Sequence, residues 1–185
     1  LRRKRMKRIL ITTVILLCAA LSLSAGRTHD VSLSFGQYSD TSLEQEVLNL
    51  RYGATIGLTK RSEVMLWGAS TLTPKLFDEN KAGLGLSLAL QGNRSTGTKV
   101  QGPSCNTLVT LGLIASERND ENEFRPTSVY LSVTPFSLGT PIMGKRERMF
   151  EVGVEYNWCV EKFSIFISVL NLDYYIHGTW KDYYR

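Results

Sequence analysis

Beyond position 26, the residues best suited to chemistry are His29, His177, Cys105 and Cys159, and their spacing supports little of it. His177 lies on the polar face of a late alternating stretch, with Thr179 and Lys181. Lipid hydrolases and acyl transferases of outer membranes use a strand histidine with a serine. No fixed His-x-Ser spacing occurs here, and a satisfied interior histidine is the plainer reading. A metal site needs three or four converging ligands, which these scattered residues do not supply. Gly83-Leu84-Gly85 is no phosphate loop, because it sits inside an alternating run with no helix after it. The chain reads as a non-enzyme with no cofactor.

Charged residues are the more informative set. Arg51, Glu151, Glu155 and Lys181 fall, with His177, on the polar sides of otherwise apolar segments. An acidic stretch, Glu117-Arg-Asn-Asp-Glu-Asn-Glu123, stands between two such segments. What these charges do depends on the elements that hold them.

Those elements are strands. In Leu48–Thr59 the even positions are Leu48, Leu50, Tyr52, Ala54, Ile56 and Leu58, and the odd ones are polar or small. Ala82–Gln91 sets Leu84, Leu86, Leu88 and Leu90 against Gly83, Gly85, Ser87 and Ala89. Ser128–Thr134 and Phe150–Trp158 alternate in the same way, and Val31–Tyr38, Val64–Ala69, Leu108–Ser116 and Phe163–Leu172 do so more weakly. Side chains alternate faces along a strand, so each segment has one apolar and one polar face. Short joints at 60–62 and 159–162 argue for an antiparallel meander.

The first residues read as an address. Of 22 Lys+Arg, six (Arg2, Arg3, Lys4, Arg5, Lys7, Arg8) precede an apolar run from Ile9 to Leu21, followed by small residues Ser22 to Gly26. That order is a signal-peptide helix over 1–26, leaving 27–185 as one barrel domain. Without the six, 16 basic residues face 17 acidic ones, a net charge of −1, so the basic balance is no argument for nucleic acid.

Alternation alone does not say which face of a barrel is wet. The polar faces are mostly Gly, Ser, Thr and Ala, which suit a cramped interior better than a solvated surface, and the apolar faces of the clear strands carry no charge. Aromatics such as Tyr38, Tyr52, Phe124, Trp158, Phe163, Tyr174, Trp180 and Tyr184 cluster toward segment ends, where membrane-interface girdles sit. The expected fold is all-β: an antiparallel up-and-down transmembrane β-barrel of eight to ten strands. Ten strands require Phe136–Ile142 and Tyr174–Lys181 as additional strands, which brings both tight joints to one rim; Pro141 opposes the first.

This pattern resembles the small outer-membrane β-barrel proteins of diderm bacteria, of OmpA, OmpX and OmpW type, from about Val31 to the end. The run Gly153-Val-Glu-Tyr-Asn-Trp-Cys-Val-Glu-Lys-Phe-Ser also looks like strand–turn–strand joints of larger exopolysaccharide-associated barrels. The resemblance implies a bacterial outer-membrane location, contact with outer-membrane lipid and the assembly machinery, and an external acidic loop at 117–123 open to a partner. Lumen charges Arg51, Glu151, Glu155, His177 and Lys181 form an ion-pair plug in a narrow barrel, or line a pore in a wider one. Cys105 and Cys159 are within reach of a disulfide with ten strands, and at opposite rims with eight. The expected role is structural or surface-interacting. The alternatives are a narrow channel, a soluble periplasmic ligand-binding barrel, and a lipid-modifying enzyme using His177.

Overall fold

A computed structural model describes residues 31–40, 47–59, 61–73, 80–91, 104–118, 123–140 and 145–177. Eight strands fill them: β1 Val31–Asp40, β2 Val47–Gly57, β3 Ser62–Thr73, β4 Asn80–Ala89, β5 Ser104–Arg118, β6 Glu123–Thr140, β7 Lys145–Asn157 and β8 Lys162–His177. Each pairs antiparallel with the next, and β8 pairs back onto β1, so the sheet closes with no edge left open. Following partners from Val31 through Ile56, Val64, Leu86, Leu111, Leu131, Val154 and Ile165 returns to β1 about ten residues farther along. A stagger of that size tilts the strands steeply and leaves a bore that side chains can fill.

Two tight turns are set by side-chain oxygens. At one rim Thr59 Oγ1 accepts from the backbone N–H of Arg61 (3.1 Å) and of Ser62 (3.0 Å), and Arg61 Nη2 donates to Leu90 O at 2.7 Å. This is the terminal rim, where β1 begins and β8 ends. At the far rim Asn157 Oδ1 accepts from Cys159 N (2.9 Å) and Val160 N (3.3 Å), and Glu161 takes a left-handed backbone with φ 52°.

The apolar faces point outward. Leu84, Leu86 and Leu88 of β4, Leu111 and Leu113 of β5, Leu131 of β6, Val152 and Val154 of β7, and Ile165 of β8 are all exposed. The small residues point inward, where several serve as saddles for large rings. A Cβ on Gly83 would collide with Trp67, one on Gly85 or Gly112 with Tyr130, and one on Gly153 with Phe166. The polar face is poor in side-chain volume at these points because the paired neighbouring strand supplies it: Trp67 stands opposite Gly83, Tyr130 opposite Gly112 and Phe166 opposite Gly153.

Strict alternation breaks along a line crossing three strands. Between β5 and β6, Asn106 pairs with Ser137 but Leu108 pairs with Thr134, so β6 holds one extra residue. Between β8 and β1, Asn171 pairs with Gly36 but Ile167 with Ser39, so β8 holds one too. The β6–β7 and β7–β8 registers stay constant across that level, so β7 carries the same insertion, at Phe150, whose φ is 58°. Inward residues accordingly fall three apart there: Thr134 and Ser137, Arg148 and Glu151, Ser168 and Asn171.

This dislocation corrects the ten-strand option. Phe136–Leu138 belongs to β6 and Tyr174–His177 to β8; each is the same strand continued after its faces exchange. Pro135, which has no N–H to give a ladder, sits at the break. The two tight turns therefore stand at opposite rims. Tyr38 is also corrected: it is no girdle residue but is fully buried in the lumen. Phe163, Trp158 and Tyr174 do lie outward near the rims, and Tyr156 packs on Phe163 at 4.7 Å between ring centroids. Trp180, Tyr184 and the segment 1–26 lie outside the described residues.

Candidate functional site

The lumen is the place where polar chemistry is concentrated, and β7 is its ruler. From the terminal rim its inward residues run Arg146, Arg148, Glu151, Gly153 and Glu155. Each marks a tier.

In the first tier Arg146 grips Glu63 with both terminal nitrogens, at 2.9 Å each, and its Nε donates to Asp173 Oδ2 at 2.7 Å. Arg148 Nη2 donates to Asp173 Oδ1 at 2.9 Å, where Ser34 Oγ also donates at 2.7 Å. Arg148 Nη1 lies 2.9 Å from Met65 Sδ. The planar guanidinium fork suits such bidentate contacts.

The second tier centres on Glu151. It accepts from Arg51 Nη1 at 2.7 Å, from Ser132 Oγ at 2.9 Å and from Asn171 Nδ2 at 3.3 Å. Arg51 also lies 4.7 Å above the Trp67 ring, a cation–π contact that supplies a face to a guanidinium removed from water.

Next comes an aromatic septum at the level of Gly153. Tyr38, Trp67, Tyr130 and Phe166, from β1, β3, β6 and β8, touch in a closed cycle with centroid separations of 5.7, 6.0, 5.9 and 5.1 Å. Trp67 Nε1 donates to Tyr130 Oη at 3.1 Å, so its polar edge is satisfied within the ring of rings. Beyond the septum, Glu155 Oε2 accepts from Tyr38 Oη at 3.3 Å and lies 3.6 Å from Lys81 Nζ.

The lattice balances. Arg51, Lys81, Arg146 and Arg148 face Glu63, Glu151, Glu155 and Asp173, four charges of each sign among the described residues. A balanced, paired set creates no strong field of either sign for a passing ion. It answers the rule that buried charge must be paired and hydrogen-bonded.

Of the residues expected from sequence, Arg51 and Glu151 pair directly, and Glu155 pairs one septum away. His177 ends β8 at the terminal rim, and Lys181 lies outside the described residues. With eight strands the two cysteines stand at opposite rims, as that count implied: Cys105 is the second residue of β5 at the terminal rim, whereas Cys159 is a free, exposed thiol in the far turn. The acidic stretch is split, with Glu117 and Arg118 ending β5, Glu123 opening β6, and 119–122 outside the described residues. Sequence reasoning missed Arg146, Arg148, Glu63, Asp173 and Lys81. Arg146 and Arg148 share the parity of outward Val152 and turn inward only because of the insertion at Phe150. A signal was present nonetheless: two arginines on what alternation makes an oily face is a contradiction that a bulge resolves.

No protein-family model matches the chain, no curated protein matches it, and no solved structure matches it. The likeness to small outer-membrane barrels is therefore one of architecture, an eight-stranded closed antiparallel meander.

Proposed function

We propose that the chain is an integral outer-membrane barrel with a structural and surface-interaction role, sealed at rest and without enzymatic activity. One observation carries this reading: the closed barrel turns most of its described leucines, valines and isoleucines outward and holds eight paired charges inward. In water each outward leucine would forgo about 1.5–3 kcal/mol of burial, and a continuous apolar belt would drive aggregation. Acyl chains remove both penalties. A soluble ligand-binding barrel needs the opposite arrangement, an apolar bore behind a polar coat.

The belt has a polar margin. On the outer face of β7, Lys145 and Glu147 pair at 2.8 Å beside the terminal rim, and Met149, Phe150, Val152 and Val154 follow. Such a margin suits the headgroup level of a bilayer. Neutral, hydrogen-bonded tiers and an aromatic septum support a plug over an open pore. At the far rim, the β5–β6 hairpin with Glu117 and Glu123 is the surface offered to an external partner.

The test is fractionation combined with gel mobility of unheated and heated samples. Recovery in the outer-membrane fraction, with a faster unheated band, is expected. Recovery in the soluble periplasmic fraction would overturn the proposal.

A further inference from the structure

Resting on the membrane-barrel reading above, we infer that the outer face of β1 is a self-association surface, on which two copies of this chain dock through the Gln37 carboxamide. Gln37 stands on the lipid side. Tyr38 beside it is fully buried in the lumen, its ladder partner Leu50 is outward and exposed, and its Nε2 donates to Ser39 Oγ at 3.3 Å, two residues along the same face. It lies six residues from Val31, which begins β1 at the terminal rim. On strands tilted about 40° that is about 15 Å of height, inside a belt about 25 Å tall. Its surroundings are oily. Phe35 precedes it on the same face, and Leu48 and Leu50 flank it on β2. Across the seam it falls between the levels of Ile167 and Asn171, beside the outward Val169 and Leu170. Ile165 and Phe163, both exposed, carry the belt on toward the far rim.

Outward polar groups elsewhere are satisfied within the sheet. Tyr52 Oη and Ser70 Oγ share a hydrogen bond at 3.4 Å, Ser70 Oγ donates to Asn80 Oδ1 at 3.0 Å, and Thr107 Oγ1 donates to Pro135 O at 3.2 Å. Gln37 keeps one N–H and its Oε1 without a hydrogen-bond partner among the described residues. Its backbone carbonyl accepts from Ser168 Oγ of β8, which pins the residue at the seam. Acyl chains offer neither donor nor acceptor, so an unbonded amide there is costly. Symmetry says what covers it. Two barrels inserted the same way round are related by a two-fold axis along the membrane normal, and such an axis sets a residue near it opposite its own copy at the same depth. A carboxamide is its own complement: the free N–H of each copy meets the Oε1 of the other, and two bonds form where lipid supplies none. A carboxylate or an ammonium would meet its own like charge instead. Phe35, Leu50 and Leu170 surround the pair and keep it dry.

Association of the full chain in liposomes tests this, read by energy transfer between copies labelled at the exposed Cys159 thiol, with the other cysteines replaced by serine. The unaltered Gln37 barrel is expected to transfer energy, and to lose the signal as it is diluted with lipid, as a reversible dimer must. Gln37→Leu keeps the bulk and removes both interchain bonds, and is expected to weaken dimerisation roughly tenfold. A Gln37→Leu barrel that keeps its heat-modifiable mobility and dimerises as tightly as the Gln37 barrel overturns the proposal, because the copies then meet elsewhere. A Gln37 barrel that stays monomeric at every dilution overturns it too, while leaving the membrane barrel standing. Should Gln37→Leu fail to close, Gln37→Met, of similar length and without the amide, decides by the same comparison. A Gln37 barrel that does not insert at all overturns the membrane reading instead.

Discussion

The two sides of this barrel are built by different rules. From β2 to β4 alternation runs almost unbroken: in β4, Leu84, Leu86 and Leu88 face out while Gly83, Gly85 and Ser87 face in. From β6 to β8 each strand carries one surplus residue at a common level, and its faces exchange there. The regular side presents small residues and three lumen charges, Glu63 and Lys81 near their strand ends and Arg51 in mid-strand. The dislocated side presents Arg146, Arg148, Glu151, Glu155 and Asp173. The lesson is that a period-two code can be kept for its chemical purpose, oil outside and charge inside, while its phase is reset once in the middle.

The largest expected effect comes from erasing that reset. Deleting Phe150 would return β7 to one phase and aim Arg146 and Arg148 outward beside the polar margin, where an outward Arg costs only about 0–1 kcal/mol. The greater loss, about 3–5 kcal/mol for a broken buried pair, is the separation from their lumen carboxylates. With their carboxylate partners stranded as well, no closed barrel should form, and the heat-modifiable gel band should vanish. Next is Glu63→Leu, which removes the carboxylate that Arg146 grips with both terminal nitrogens; a broken buried pair costs about 3–5 kcal/mol. Urea titration of the barrel folded in liposomes should show that loss, and a loss under about 1 kcal/mol would mean the tier is hydrated rather than packed. On the regular side, Leu86→Arg tests orientation: destabilisation by about 2–4 kcal/mol is expected, against little change if that face meets water. The smallest effect is Phe150→Gly. It relieves a left-handed backbone at φ 58°, worth about 1–2 kcal/mol, but gives up the edge-on contact with Phe136 at 6.3 Å. Because the change also withdraws an outward ring worth about 1.5–3 kcal/mol against lipid, a net loss of about 1 kcal/mol in the same titration is expected.

How legible the sequence was follows from the same contrast. The outward oily face could be read from β4 because nothing there interrupts the alternation. Phe136–Ile142 and Tyr174–Lys181 looked like separate strands because a change of phase mimics a strand boundary. Arg146 fell within a stretch, Gly139–Glu147, that reads as a turn from Gly139, Pro141 and Gly144 alone. Glu63 sits beside the 58–61 turn and Lys81 at the start of β4, where period gives little guidance. Arg51 and Glu151 were found because both lie within clear alternation, yet their pairing across 100 residues is a property of closure that no local pattern carries.

The lengths of chain spanned by the lumen contacts have a consequence for assembly. Arg146 and Glu63 are 83 residues apart, and Ser34 and Asp173 are 139 apart. Hairpins of neighbouring strands bring together neither Arg51 with Glu151 nor Arg146 with Glu63; only the completed cylinder does. Until the last strand docks on the first, these side chains keep their water, and the half-made sheet has no dry interior to collapse into. Closure and neutralisation therefore finish in one event, and a chain stalled short of it would remain recognisably wet.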